Sequence, residues 1–200
     1  MIKIIKNIFV CSCVLFCLLK HSYAIDDNTA IQYIEKVGQE AINILKTPIE
    51  DLKTRELLFE RMLTNNFDRT LIHRAVLGRA SKGASKEQLV RFGKAFDTHI
   101  VKVYASQLGV YSNQLFVIDK AFKKGKKDTI VTTRIEHETA PPLRIDWRLR
   151  DRGQGTKIID IAIEGVSLLA TKRADFGASI KKGGLHSLII DLETMNAENN

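Results

Sequence analysis

Between Leu143 and Arg150 the chain alternates without a fault: Leu143, Ile145, Trp147 and Leu149 are apolar, while Arg144, Asp146, Arg148 and Arg150 are charged. Successive side chains of a strand point to opposite faces, so this pattern demands a sheet that is wet on one side and covered on the other. Neighbouring segments extend the sheet. Leu115, Val117 and Asp119 mark an earlier strand, followed by a lysine-rich turn around Gly125. Residues 129–139 set Val131, Thr133 and Ile135 against Thr132, Arg134 and Glu136. A turn at 151–155 leads into 156–163, where Ile159, Ile161 and Ile163 share one face and Ile158, Asp160 and Glu164 take mainly the other, until Gly165 breaks the strand.

The cover comes from helical periodicity on both sides of this block. Asn28 is placed to cap a helix with the apolar stripe Ile31, Ile34, Val37, Ala41, Ile44 and Leu45, and Pro48 follows its end. A second helix spans about 53–65. Asp68 caps a short third helix that ends at Leu77-Gly78. Ser85 and Gln88 form a capping box opening a long helix, with Leu89, Phe92, Phe96, Ile100, Val103 and Tyr104 along one side, which stops near Gly109. After the sheet, helical spacing runs through Phe176 and Ile180, halts at Gly183-Gly184, and resumes through Leu185, Leu188, Ile189 and Leu192. Helices, then sequential hairpin strands, then helices predict an α+β fold: an antiparallel sheet of four to five strands covered by amphipathic helices.

The first 24 residues read as an export signal. Lys3 and Lys6 form a positive start, Ile8 to Leu19 an apolar run of 12 residues, and Ser22-Tyr23-Ala24 a cleavage site. The run falls short of the roughly 20 apolar residues of a membrane span. Cleavage after Ala24 leaves residues 25–200 as one domain, with no internal repeat or linker. It also removes Cys11, Cys13 and Cys17, the only cysteines, so disulfides, thiolate metal sites and cysteine nucleophiles drop out together. Losing Lys3, Lys6 and Lys20 from 31 basic residues leaves 28 against 23 acidic ones, a net charge of +5. The clusters at Lys123, Lys124, Lys126 and Lys127 and at Lys181 and Lys182 are either solvated loop and helix-end lysines or docking sites for acidic lipid or protein. They lack the interleaved aromatics of a nucleic-acid surface.

Catalytic patterns are scarce. His73, His99, His137 and His186 lie on separate elements, and none has a metal-ligand partner at the spacing of HExxH. Gly165-Val166-Ser167 starts like a nucleophile elbow, but Leu169 occupies the place of its last glycine. Asp68, Asp97, Asp160 and Glu164 could converge for isomerase-type proton transfer; helix capping and an outer strand face account for Asp68, Asp160 and Glu164 without it. No enzyme, cofactor or metal is expected.

Two regions carry a resemblance to a known family. One is Phe67-Asp68 through Leu77-Gly78 and on to Phe92, Phe96 and Tyr104; the other is Asp160-Ile161, Glu164-Gly165-Val166-Ser167-Leu168, Arg173, Phe176 and Gly184-Leu185. In that order, behind an export signal, they resemble the MlaC or toluene-tolerance family, the periplasmic phospholipid-binding component of the Mla (maintenance of lipid asymmetry) ABC transport system. Thr156 stands where the family often has Trp, and 170–172 lacks an aromatic often found before the arginine.

The resemblance implies a periplasmic carrier in a Gram-negative bacterium. It would shuttle phospholipid between an outer-membrane lipoprotein–porin complex and an inner-membrane ABC transporter with its substrate-binding MCE subunit. It further implies an apolar pocket lined by Phe92, Phe96, Ile100 and Tyr104 of the long helix, by Ile145, Trp147, Leu149, Ile161 and Ile163 of the sheet, and by Val166, Leu168 and Phe176 beyond it. Arg173 either faces the lipid phosphate at the mouth or serves as a surface arginine. The energetic case is simple: at ~0.8 kcal/mol per methylene, two chains of about 15 methylenes put on the order of 24 kcal/mol at stake in water. Two other readings remain open on the sequence: an isomerase-like α+β enzyme, and a periplasmic adaptor whose interior is solid.

Overall fold

The computed structural model describes residues 24–107, 114–138, 140–153 and 155–198. The expected cleavage segment and the helix stop near Gly109 lie outside the described residues. Five helices precede the sheet: α1 (Asp27–Leu45), α2 (Leu52–Asn66), α3 (Arg69–Leu77), the single turn α4 (Ala80–Gly83) and α5 (Lys86–Gln107). Strands β1 (Leu115–Lys124), β2 (Asp128–Glu136), β3 (Leu143–Asp151), β4 (Thr156–Ile163) and the two-residue β5 (Val166–Ser167) follow, then α6 (Leu168–Glu198). The strands pair strictly in chain order, all antiparallel, so the fold is α+β as the periodicities predict.

Several helix starts form where side-chain oxygens can reach orphan amides. The Asp68 carboxylate accepts from the amide of Leu71 at 3.0 Å. Ser85 and Gln88 cap each other reciprocally, amide to side chain, at 3.0 and 3.1 Å. The first helix corrects the sequence reading. Its cap is Asp26, which accepts from the amide of Thr29 at 3.0 Å, and Asn28 already lies in the first turn. Between β4 and β5, Glu164 and Gly165 both have positive φ (50° and 78°), the signature of a two-residue hairpin turn whose twist matches the strands.

Two bulges reset the sheet. In β1, Ile118 pairs with Thr133 and Lys120 with Thr132, leaving Asp119 extra. In β4, Asp160 pairs with Arg148 and Ile158 with Leu149, leaving Ile159 extra. A bulge lets both sides of the insertion keep an inward residue. Ile158, which simple alternation put outside, is therefore fully buried beside Leu149. On the outer face, Asp128 is clamped by Arg150 and Arg148, with Nε contacts at 2.5 and 2.7 Å. Burial alone would raise this carboxyl, yet the two guanidiniums together hold it below the ordinary value.

Three apolar clusters form the interior. Ala30, Ile34 and Val37 of α1 pack on Val131, Trp147, Leu149 and Ile158 of the sheet. Gly38 allows this approach, since a Cβ there would run into the ring of Phe116. Ile44 joins Phe59, Met62 and Val101 in a second cluster linking α1, α2 and α5. The third unites α3, α5 and α6 around Phe92, Phe96 and Phe176, with Leu188, Ile189 and Leu192 contributed by the arm of α6 beyond Gly184. At Gly184 (φ 78°, ψ 172°) the helix breaks, as the glycine pair predicts.

Candidate functional site: an apolar cavity between sheet and helices

The three clusters share no buried residue, although Ile100 touches both the second and the third. Between them lies a cavity of about 560 Å³, inside the 300–1,000 Å³ range of small-molecule sites. Its floor is the inner face of the sheet, with Phe116, Ile135, Ile145, Trp147, Ile161 and Ile163. Its roof comes from Ala41, Ile42 and Leu45 of α1, Phe59 and Met62 of α2, Ile72 and Val76 of α3, and Phe96, Ile100 and Tyr104 of α5. Leu168, Leu169 and Lys172 of α6 close one side. The hollow arises because α1 changes partners along its length: its first half sits on the sheet, while Ile44 near its end packs with α2 and α5.

The polar atoms of the wall are engaged where they would otherwise cost most. The Trp147 indole N–H donates to Thr133 Oγ1 at 2.9 Å, and Thr133 in turn donates to the carbonyl of Ile145 at 3.2 Å, so an apolar indole surface remains for the cavity. Burial raises the Tyr104 phenol above its ordinary value and keeps it neutral. Asp97 accepts from Arg69 Nε at 2.8 Å, with the Arg69 Nη2 contact beside it, and pairs with His73 Nε2 at 2.7 Å. Gly93 leaves room for that imidazole, because a Cβ there would lie 2.9 Å from His73 Nδ1. Asp160 accepts from Ser167 Oγ at 2.6 Å and from the amide of Leu169 at 3.1 Å, tying β4 to the start of α6.

The four carboxylates that could have converged for proton transfer are each held by partners of their own. Asp68 caps α3 and meets Arg152 at 3.0 Å, and Glu164 accepts from the amide of Arg144 at 2.5 Å. Asp97 and Asp160 border the cavity with the partners just described. Among the described residues no group of three or more His, Cys, Asp or Glu side chains is placed to hold a metal ion.

Of the positions expected to line a pocket, Phe96, Ile100, Tyr104, Ile145, Trp147, Ile161, Ile163 and Leu168 stand on the wall. Phe92, Leu149, Phe176 and Val166 do not. Phe92 and Phe176 are sealed in the α3–α5–α6 cluster, edge to face at 6.2 Å. Leu149 is covered by α1, and Val166, at the hairpin tip, is 60% exposed. Arg173 also points elsewhere: its guanidinium lies over Gly78, 3.1 Å from where a Cβ would be, at the C-terminal end of α3, where a cation complements the helix dipole. The preceding residue, Lys172, reaches the cavity instead. Sequence reading passed over Ile42, Phe59, Phe116 and Leu169. The one available signal was in α1, where Ile42 and Leu45 widen the apolar band beyond a single stripe.

Residues 35–194 match the family model described as MlaC protein. The chain belongs to the MlaC family. Among curated MlaC proteins, the intermembrane phospholipid transport system binding protein of Haemophilus influenzae is 29% identical over 122 residues, 59% of this chain and 57% of its own length. The chain thus matches a little over half of that relative. Among solved structures, a phospholipid-binding protein from Ralstonia solanacearum, in complex with a phospholipid, superposes with a TM-score of 0.75 at 21% identity, covering 84% of this chain and 97% of that one. At this identity the likeness shows a shared α+β fold. Among the described residues no helix is long and apolar enough to cross a membrane.

Proposed function

We propose that this MlaC-family chain is a phospholipid carrier: it takes the acyl chains of one lipid into the cavity and leaves the headgroup at the opening. The observation that carries the reading is the hollow itself, about 560 Å³ walled by aliphatic and aromatic side chains from the sheet and from helices α1, α2, α3, α5 and α6. Unfilled apolar space of this size is costly, because its lining forgoes dispersion contacts, and a hydrocarbon chain restores them. Carboxylates engaged in caps and ion pairs support binding rather than catalysis. The names of the Haemophilus and Ralstonia relatives support phospholipid as the ligand.

In this reading residues 1–24 are an export signal and residues 25–200 form one periplasmic domain. The carrier moves between an inner-membrane ABC transporter with its MCE subunit and an outer-membrane lipoprotein–porin complex. Its chemistry requires no cofactor. Solvent extraction of the purified mature protein tests the proposal: near-equimolar phospholipid is expected. Reproducible absence of lipid, with no uptake from labelled phosphatidylglycerol vesicles, would contradict it.

A further inference from the structure

Among the described residues the cavity wall is apolar except for a few charged groups, and all but one of these are engaged by a neighbour that offsets their charge or polarity. Arg69 and Asp97 satisfy each other, with His73 behind them. Asp160 is held by Ser167 and the Leu169 amide. His137 likewise has an interaction of its own. Lys172, half-exposed one turn into α6, lines the cavity and makes neither hydrogen bond nor ion pair among the described residues. Across the α5–α6 junction, His99 of α5, half-buried, feels the Lys172 charge and offers it no counter-charge. An ammonium without a counter-ion on the wall of an oily hollow is a natural seat for an anion.

We propose that Lys172, half-exposed on the cavity wall, binds phosphate and seats the phosphodiester of the bound lipid. This rests on the carrier reading and adds the residue that holds the headgroup. The ammonium supplies the charge-assisted hydrogen bonds. The geometry also explains why Arg173 is not the headgroup residue: it faces the end of α3, one helical position away from the wall.

The test compares uptake of phosphatidylglycerol with uptake of a diacylglycerol of the same chains, which lacks the phosphate. Wild type, Lys172→Gln, Lys172→Glu and Arg173→Gln are each stripped of lipid and checked for folding by circular dichroism. Lys172→Gln is expected to weaken phosphatidylglycerol binding about tenfold, the scale of one charge-assisted hydrogen bond, and Lys172→Glu further, with diacylglycerol uptake unchanged in both. Arg173→Gln is expected to match wild type for both lipids. Equal loss of the two lipids in a folded Lys172 variant, or no loss of either, overturns the site while leaving the carrier intact. Failure of wild type to take up either lipid overturns the carrier reading itself. Inorganic phosphate distinguishes a free-anion site: a Lys172 side-chain resonance in wild type that shifts with millimolar phosphate but not with phosphatidylglycerol would overturn the headgroup assignment.

Discussion

Phe96 stands between two interiors built from similar residues. On one side, Phe92 stacks on it at 5.6 Å, Phe176 meets it edge-on at 6.0 Å and the His73 ring at 5.4 Å, and the space is filled. On the other side, Ile100, Met62, Ile145 and Ile161 face each other across a void. What differs is how the covering helix is fastened. The last arm of α6 is tied down along α5 by Arg91 to Glu193, by Lys102 Nζ to the carbonyl of Asn196, and by Asn196 to the carbonyl of Ala95. By contrast, α1 is drawn onto the sheet at one end and onto α2 and α5 at the other, so it bridges the gap rather than filling it. Apolar content alone does not make a core; the anchoring of the elements decides whether it closes.

The contrast is open to attack by mutation, most strongly on the filled side. Phe92→Ala removes a fully buried ring from a close-packed cluster and is expected to cost about 3–5 kcal/mol, read by urea denaturation. Next comes the ion-paired outer face of the sheet. Asp128→Asn leaves two guanidiniums without their charge partner and should cost about 2 kcal/mol at neutral pH. Because the folded-state carboxyl titrates below its unfolded value, wild type holds this contribution above about pH 4 and loses it as pH falls through the lower folded value. The Asn variant should therefore show a flatter acid limb.

On the hollow side the expectation is smaller for stability and larger for binding. Ala41→Trp fills space above the sheet, so stability should change by no more than about 1 kcal/mol while lipid uptake is lost. If Ala41→Trp unfolds the protein, the wall is less open than described. The smallest effect concerns His99, whose imidazole is held below its ordinary value by burial and the Lys172 charge. Its neutral form stabilises the fold fully above about pH 6.5, and that contribution is lost as pH falls from there through the lower folded value. Thermal melts of His99→Gln between these limits should show less pH dependence than wild type.

Much of this was legible in the residues, and the limits have physical reasons. Caps at Asp68 and at Ser85–Gln88 are local hydrogen bonds, and the alternation of Leu143 to Arg150 is a property of one strand, so both can be read from the chain. Bulges are not local, because the partner strand defines them. Ile159 reads as an ordinary inward residue until its register against Arg148 and Leu149 is known, and with it the face of Ile158. The headgroup side chain follows the same rule. Choosing between Lys172 and Arg173 requires the rotational phase of α6, which is set by the turn at Glu164-Gly165 and the Asp160 contacts that start the helix. A stripe such as Phe92, Phe96, Ile100 and Tyr104 looks the same whether it meets side chains or empty space. Here it meets both.

Photocrosslinking tests the central claim most directly. A phosphatidylglycerol bearing a photoreactive group at the end of one acyl chain is loaded from vesicles, irradiated, and the attachment sites are mapped by peptide mass spectrometry. The account predicts adducts on cavity residues such as Met62, Ile100 and Ile161. Adducts confined to exposed positions such as Val90 or Phe122, with none on the cavity wall, would contradict it.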